Sequence, residues 1–480
     1  MRGQASINSL NTVCSAHFWP RSRRDNCDAL PSVMRLLSHW PAFSQMAALA
    51  HTLIGFTCLS ICLLSHAQSN PDTTKAHVHP KFMGTGSCSS SNCHGSVNPI
   101  NGSDVLQNEY HTWLKYDRHS KAYSALTTPD AKRIASHLNL GDPAKEAQCL
   151  TCHTTYVPNR DQRGERYAVE DGVSCESCHG AAERWIASHA ERSATHERNL
   201  ANGLVDTASL NARATLCLSC HYGDDSKRVT HDLYGAGHPR LRFELDTYGI
   251  LQPKHWVVDG DYQSRKSDYI PLRAWFAGQL AQAESLLVML GNPHSKTQRG
   301  FPELSLFDCF SCHHNLTQNQ WKKRTYGETP GTLQLNLTPL LLLQASLAFL
   351  DAEKSLELAR LSANLQKSFG TDTMSQTLSE LRTLLKSQVR PFIANIRGDM
   401  QTCSTVVRGL AQESTNVPTP KFEFAEQVGM GIQAALATSP ELAKQSSAQL
   451  SRLFKTLERA DSFDPQSFSA ALQGFAILSS

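Results

Sequence analysis

The spacing of apolar residues divides the chain into a long region with little periodicity and a helical C-terminal region. From about residue 330 onward, apolar residues recur at the three- and four-residue intervals of amphipathic helices, with breaks at Gly370, Pro391, Pro418 to Pro420 and Pro440. The predicted helices are Pro339 to Leu361, Met374 to Ile396, Phe422 to Leu436, Ser439 to Leu457 and Pro465 to Leu478. We therefore predict an α-helical domain over residues 330–480.

Residues 68–325 have a different character. They contain many Gly, Asn and Asp residues and few long periodic stretches. The exception is Leu272 to Leu290, which has the spacing of a helix that ends at Gly291-Asn292-Pro293. A folded region of this length with so little regular pattern needs a core made from something other than long amphipathic elements.

An apolar segment near the N-terminus, residues 47–64 (AALAHTLIGFTCLSICLL), predicts export. Small residues at Ser65 and Ala67 fit a signal-peptidase site, so the mature chain is predicted to begin at Gln68. The alternative is an uncleaved membrane anchor, because a segment of this length nearly spans a bilayer. No later segment is a membrane candidate, so cleavage would leave the mature chain without a membrane span.

The rest of the N-terminus and the composition narrow the picture only slightly. Residues 1–67 are predicted to be a leader and signal peptide, with Met34 or Met46 as alternative true starts because the leader is unusually long. A formal net charge of +3 over 480 residues does not indicate nucleic-acid binding, and 40% hydrophobic content suits a globular chain. The composition does not predict an oligomeric state.

Five cysteine pairs in residues 68–325 are each followed directly by a histidine. In a C-x-x-C-H motif the two thiols attach to the vinyl groups of haem, and the histidine is the proximal ligand of the iron. The motifs are Cys149/Cys152-His153, Cys175/Cys178-His179, Cys217/Cys220-His221, Cys309/Cys312-His313 and a wider one, Cys88/Cys93-His94. They predict about five covalently bound haem c groups and a mainly α fold with a haem-packed core and little regular sheet, beside a haem-free C-terminal helical domain.

Cysteine pairs also form disulfides and zinc sites, and Cys149/Cys152 with Cys175/Cys178 has roughly the spacing of a zinc ribbon. Neither alternative requires a histidine after every pair, so the histidines favour haem. Outside the motifs and the leader, only Cys403 remains, which leaves no framework of structural disulfides. Because c-type haem is attached outside the bacterial cytoplasm, the motifs also predict a periplasmic or otherwise extracytoplasmic protein.

Three segments of the haem region resemble a known family: Glu109 to Leu126 (EYHTWLKYDRHSKAYSAL), Ser174 to His189 (SCESCHGAAERWIASH) and Gly235 to Leu245 (GAGHPRLRFEL). They are similar to the multihaem c-type cytochromes of the cytochrome c554 family, which includes the electron acceptor of hydroxylamine oxidoreductase in ammonia-oxidising bacteria. The resemblance covers roughly residues 80–325. That cytochrome has four haems and this chain has five motifs, so haem order and partner do not transfer.

The resemblance implies that His119, His189 and His238 are distal haem ligands. We add His255, because the flanking proline and tryptophan of PKHW could fix its imidazole against a haem plane. The fifth distal ligand stays open among His111, His294 and His314.

Two functions are compatible with these features. In the first, the protein carries electrons between redox partner proteins through haems whose irons all have two axial ligands. In the alternative, it is a multihaem oxidoreductase that acts on a small nitrogen or sulfur compound at one haem with an open site. The abundance of histidines favours the electron carrier, while the resemblance keeps the enzyme open. No catalytic residue is predicted.

Overall fold

Short helices joined by loops form the region with the cysteine motifs, and longer helices form the rest. The computed structural model describes residues 79–100, 105–257, 259–265, 269–292, 302–309, 312–313, 333–415 and 421–477, all within one compact unit. The mainly α fold is confirmed: the described residues form helices and two isolated β-bridges but no strand. The predicted export segment lies outside these residues.

In the described residues, ten α-helices precede the long central helix. Several begin at a serine or threonine whose hydroxyl accepts a backbone N–H of the first turn, as Thr128, Thr195, Ser209 and Thr230 do. The helices are α1 Glu109–Tyr116, α2 Ala122–Ala125, α3 Pro129–His137, α4 Ala147–His153, α5 Cys175–His179, α6 His196–Ala201, α7 Leu210–His221, α8 His231–Gly235, α9 Leu245–Leu251 and α10 Gly260–Arg265. Most are too short to be stable without tertiary contacts.

The central helix, α11 (Pro271–Gly291), is buried on almost every side, which agrees with the helix predicted from Leu272 to Leu290. It packs against α7 and α9 of the haem region and also against helices of the C-terminal region. The helices that the structure describes after α11 are α12 Thr338–Leu347, α13 Ala352–Ser368, α14 Met374–Leu384, α15 Arg390–Ala394, α16 Met400–Thr415, α17 Phe422–Thr438, α18 Pro440–Lys455 and α19 Pro465–Ala476. None of the described helices has the length and apolarity needed to cross a membrane.

The predicted C-terminal helices are largely confirmed, with three corrections. The single helix predicted from Pro339 to Leu361 is two, because Asp351 caps the start of α13 by accepting the N–H of Lys354. The break predicted at Pro391 is wrong, since a π-helical turn over Leu385–Val389 joins α14 to α15 and accommodates the proline. Helix α16 was not predicted. The predicted break at Pro418 to Pro420 lies outside the described residues.

One apolar core extends from α11 through the C-terminal helices to α19. Trp275 of α11 is fully buried in it, and Gly431 of α17 lets the two helices approach, because a β-carbon there would lie 2.7 Å from the indole. A second, smaller cluster joins α7 and α9 to α11. The boundary near residue 330 stays a prediction, but α11 already belongs to the core of the C-terminal helices.

Candidate cofactor sites

Three of the cysteine motifs lie at the C-terminal ends of helices. Their histidines, His153, His179 and His221, are the last residues of α4, α5 and α7. In an α-helix the two cysteines of C-x-x-C lie on one face, and the histidine four residues after the first cysteine lies beside them. The last motif along the chain forms an equivalent turn, in which the N–H of His313 donates to the carbonyl of Cys309 over 2.7 Å.

In the wider motif, Cys88/Cys93-His94, the histidine also bonds through its backbone N–H to the carbonyl of the first cysteine, although the loop is longer. Although five residues lie between Cys88 and His94, the N–H of His94 donates to the carbonyl of Cys88 over 3.1 Å. The extra residues form a tight loop between them, so tight that a β-carbon on Gly95 would lie 1.8 Å from the carbonyl oxygen of Ser89. The histidine of the wide motif therefore has the same backbone relation to its first cysteine as His313 has.

Two of the ten motif cysteines, Cys93 and Cys312, are exposed, whereas the other eight are partly buried. Cys312 lies in a turn and not at the end of one of the described helices. Its N–H donates to the carbonyl of Cys309 over 3.2 Å, and the neighbouring His313 is also exposed. Attachment of haem at Cys312 stays a prediction, and a haem there would lie near the protein surface.

Histidine rings from distant parts of the chain face the histidines of four motifs. The pairs, with the distance between ring centroids, are His94 and His189 at 6.1 Å, His221 and His119 at 6.0 Å, His179 and His255 at 6.2 Å, and His313 and His231 at 6.2 Å. The first pair is nearly parallel, with 12° between the ring planes, and the last is inclined by 28°.

The histidine of the remaining motif, His153, has a looser partner. His153 lies near enough to His238 to contribute to the lowered pKa of His238, but the two rings make no contact in the part of the chain that the structure describes. The Nδ1 of His238 bonds to the carbonyl of Pro239 over 2.7 Å, and burial lowers the pKa of His238 below its usual value.

The distances in the four close pairs fit an iron between two imidazoles. A metal–imidazole bond is about 2 Å long and the ring centre lies about 1 Å beyond the nitrogen, so two axial imidazoles should have centres about 6 Å apart. Aromatic rings that pack directly also have centres about 4.5–7 Å apart, so the distance becomes informative because one ring of each pair belongs to a cysteine motif. The spacing thus suits a haem iron in each gap.

Two of the paired histidines bond to carboxylates. The Nδ1 of His94 lies 3.0 Å from the Oε2 of Glu109, and the Nδ1 of His119 lies 2.9 Å from the Oδ1 of Asp117. These hydrogen bonds raise the pKa of both histidines. Burial alone would raise the pKa of Glu109 and Asp117, but the bonds from the histidines outweigh it and lower both. Both carboxylates are therefore anions near neutral pH.

Other imidazoles bond to backbone carbonyls through the same nitrogen. The Nδ1 of His153 lies 3.0 Å from the carbonyl oxygen of Ala122, and that of His189 lies 3.2 Å from that of Trp185. Metal-binding histidines usually donate one ring N–H in this way, which orients the ring and leaves Nε2 as the ligand. This second feature is again what an axial haem ligand requires.

Burial keeps two of the motif histidines neutral. It lowers the pKa of His179 to about 4 and that of His221 to about 4, with a smaller contribution from His119 in the second case. Phe243 stacks on the ring of His221 with 5.0 Å between the centroids. A neutral imidazole is the form that binds a metal ion.

The cysteines meet in pairs that come from different motifs. Cys88 and Cys175 are hydrogen-bonded, which lowers the pKa of Cys88. Cys152 and Cys220 are also hydrogen-bonded, and this bond, together with the ammonium of Lys227 at 3.3 Å, lowers the pKa of Cys220 to about 5. A zinc ribbon would bring the pairs 149/152 and 175/178 together, whereas Cys152 and Cys175 each contact a cysteine of another motif.

The candidates for a fifth distal ligand have different outcomes. The Nε2 of His111 bonds to the carbonyl of Gly95 over 3.2 Å, so this nitrogen is already engaged. His294 and His314 lie outside the described residues. The structure pairs His313 instead with His231, the first residue of α8, which the sequence analysis did not single out. Its position seven residues before His238, in the same segment, is the one sequence signal that could have drawn attention to it.

Part of the chain matches a known protein family. Residues 87–180, which include the first three motifs, match the family described as Cytochrome c554 and c-prime. No curated protein and no solved structure matches the chain. The match agrees with the resemblance noted from the sequence and supports a c-type cytochrome, an electron carrier with covalently bound haem c.

Proposed function

We propose that this protein is an exported multihaem cytochrome that transfers electrons between redox proteins through about five covalently bound haems. The observation that carries the proposal is the pairing of motif histidines with second histidines at the spacing of two axial ligands. An iron with two imidazole ligands exchanges electrons without binding substrate, which is the task of a carrier.

The proposed ligands follow from these pairs. The ten motif cysteines, the exposed Cys312 included, attach the haems, and the five motif histidines are proximal ligands. His189 is then the distal ligand opposite His94, His255 opposite His179, His119 opposite His221, His231 opposite His313, and His238 the candidate opposite His153. Thioether bonds would replace the thiols that meet across motifs.

Those thiol contacts suggest the order in which electrons pass between haems. We number the haems by the order of their motifs along the chain. The contact between Cys88 and Cys175 would make the first and third haems neighbours, and the contact between Cys152 and Cys220 would make the second and fourth haems neighbours. Cys178 of the third motif lies within electrostatic range of the fourth. Arg240, two residues after His238, hydrogen-bonds to Cys309, which brings the fifth site next to the second. The inferred order is first, third, fourth, second, fifth.

The chain would contribute orientation and shielding to this transfer. Bound haem supplies a one-electron iron couple. The hydrogen bonds at Nδ1 fix each ring and leave Nε2 for the metal, as for His153 and His189. Burial of His179 and His221 keeps them neutral and limits reorganisation of water around the iron.

Spectroscopy of the mature protein tests the proposal. Pyridine haemochrome spectra with intact mass should give five covalent haems, and electron paramagnetic resonance (EPR) should give low-spin signals for at least four. His231→Ala should convert one low-spin haem to high-spin, while His111→Ala, the matched control, should leave the spectrum unchanged. A fully low-spin spectrum for His231→Ala would contradict the ligand assignment, and absence of covalent haem would contradict the function.

A second candidate function rests on the loose pair His153 and His238. If His238 leaves the second haem open, that iron could bind a small nitrogen or sulfur compound, as the oxidoreductase alternative requires. Nitric oxide or cyanide added to the oxidised protein should then shift one high-spin EPR signal. A spectrum that neither ligand alters would exclude this candidate and leave electron transfer alone.

Export is part of the proposal because haem attachment takes place outside the cytoplasm. N-terminal sequencing of the mature protein should begin at or within a few residues of Gln68. Recovery only in membranes with the apolar segment retained would instead indicate an anchor.

A further inference from the structure

We propose that helix α1 lowers the reduction potentials of two different haems, the first and the fourth, through a carboxylate at each of its ends. The two groups are Glu109, the first residue of α1, and Asp117, which directly follows it. The inference rests on the proposed function, because it assigns a role to residues that contact proposed iron ligands.

Glu109 is held firmly against the first site. Its Oε2 accepts the Nδ1–H of His94 over 3.0 Å, and its Oε1 accepts the backbone N–H of Gln107 over 3.1 Å. Its side chain is 16% exposed, so little water competes for the carboxylate. Its place in the first turn of α1 also stabilises the negative charge, since the N-terminal end of a helix is electropositive.

Asp117 is held still more firmly against the fourth site. Its Oδ1 accepts both the backbone N–H and the Nδ1–H of His119, over 3.0 Å and 2.9 Å. Its Oδ2 lies 3.5 Å from the Nε2 of Gln252, and its side chain is 8% exposed. The partner ring of His119 is that of His221, so the carboxylate acts on the fourth motif.

The helix itself is fixed between the two sites. The indole N–H of Trp113, in the middle of α1, donates to the carbonyl of Val173 over 3.1 Å. Val173 lies two residues before Cys175, so α1 is anchored to the third motif. An eight-residue helix is about 12 Å long, which separates the carboxylates enough for each to serve a different haem.

A carboxylate affects an iron more than a carbonyl does. A full negative charge on the N–H of the ligand increases the electron density of the imidazole, which favours Fe(III) over Fe(II) and lowers the potential. His153 and His189 bond to neutral backbone carbonyls, whose effect is weaker. In the inferred order of electron transfer, the haem of the first motif comes first and the haem of the fourth motif comes third. Haems with a lowered potential therefore alternate with haems whose potential is not lowered.

Redox titration of the mature protein tests this inference. Glu109→Gln and Asp117→Asn should each move one haem to higher potential, by about tenfold in its reduction equilibrium, or about 59 mV for one electron. The EPR signal of that haem should shift while it stays low-spin, and the other signals should not move. Glu109→Asp should also raise the potential, because the shorter side chain keeps the charge but loses the 3.0 Å contact.

Glu146→Gln is the matched control. Glu146 lies within electrostatic range of Cys149 and bonds to the N–H of Gly141, but it bonds to no imidazole in the described structure. This variant should leave all the potentials within error. Unchanged potentials in both Glu109→Gln and Asp117→Asn, or an equal shift in Glu146→Gln, would overturn the inference. Either result, with five low-spin haems in the unaltered protein, would leave the proposed function standing, whereas missing haems would contradict that function.

Discussion

The haem region and the C-terminal helices reach a stable fold by different means. In the C-terminal region, long helices bury leucine, phenylalanine and valine against one another in one continuous core. In the haem region, buried apolar residues such as Leu126, Leu150 and Val157 lie outside both apolar clusters, and most helices have fewer than three turns. Burial of apolar surface is the main force that drives folding, so the haem region needs another source of buried apolar surface. The proposed haems would provide that surface.

The two regions meet at α11 through polar as well as apolar contacts. The buried amide of Gln279 on α11 donates to Gln427 on α17 over 2.7 Å, and Gln427 in turn donates to the carbonyl of Phe243 over 3.2 Å. Phe243 stacks on His221 of the fourth motif. The C-terminal helices thus support a motif histidine through two intermediate residues.

The largest effect should come from leaving out the haems. Full-length protein made without haem maturation and kept reduced should lose most of its helix in residues 79–265 and keep α11 to α19, because only the latter have an apolar core of their own. Far-UV circular dichroism and trypsin digestion with mass spectrometry would measure this. Equal protease resistance of both regions would contradict the view that only the C-terminal region has an apolar core of its own.

The next effect concerns the shared core. Trp275→Ala removes a fully buried side chain from α11 and should destabilise the protein by about 3–5 kcal/mol. Leu356→Ala, at a residue of α13 that is 70% exposed, should change stability by less than about 0.5 kcal/mol. Urea unfolding of the mature protein, followed by circular dichroism, would compare them. Similar losses in both variants would contradict the role of α11.

A smaller loss of stability should come from removing the polar link between the two regions, and it should make them unfold at different urea concentrations. Gln427→Ala leaves the amide of Gln279 and the carbonyl of Phe243 without this buried partner, at a cost of about 1–3 kcal/mol. We expect the Soret band of the haems to change at lower urea than the far-UV signal, because the link to Phe243 is weakened. Gln401→Ala, at an exposed position of α16, is the control and should keep the two transitions together. Coincident transitions in Gln427→Ala would show that this link does not couple the regions.

The smallest effect should come from the ion pair between Arg240 and Glu423, which also joins the regions. Both side chains are more than a third exposed, so solvent screens their attraction. A double-mutant cycle with Arg240→Ala and Glu423→Ala should give a coupling of about 0.2–1 kcal/mol that decreases with salt. A larger, salt-independent value would indicate that the pair is more important to the junction than its exposure suggests.

The sequence predicted what depends on local pattern. Most C-terminal helices follow from apolar periodicity and are confirmed. The assignment of the motif histidines as proximal ligands follows from motif spacing and stays a prediction. Helix α16 was not predicted because its buried face contains Cys403, Val406 and Val407 among threonines and serines. The difference in hydrophobicity between its two faces is therefore smaller than in a helix with leucines on one face and charged residues on the other. The break predicted at Pro391 was wrong because a π-helical turn, which has no simple sequence signature, accommodates a residue without a backbone N–H.

The pairing of histidines and the exposure of each motif were not predictable in the same way. His231 and His313 are far apart in sequence, and their approach depends on how α8 packs beside the fifth motif. The sequence favoured His111 as a candidate and did not single out His231, yet the Nε2 of His111 bonds to the carbonyl of Gly95. Cys312 has the same spacing as the second cysteine of the partly buried motifs, yet it is exposed. These are properties of the tertiary fold, so a single sequence supplies the candidates but neither the pairs nor their burial.

The loop between Cys88 and Cys93 has a consequence for how the protein is made. An enzyme that attaches haem must recognise two thiols and a histidine, and here a polar loop of four residues stands between the thiols while the N–H of His94 still bonds to Cys88. A host whose attachment machinery measures the distance along the chain would leave this one site empty, whereas machinery that recognises the folded turn would fill it. If the first haem is attached as proposed, biosynthesis of the complete protein depends on the substrate tolerance of the maturation system as well as on its capacity.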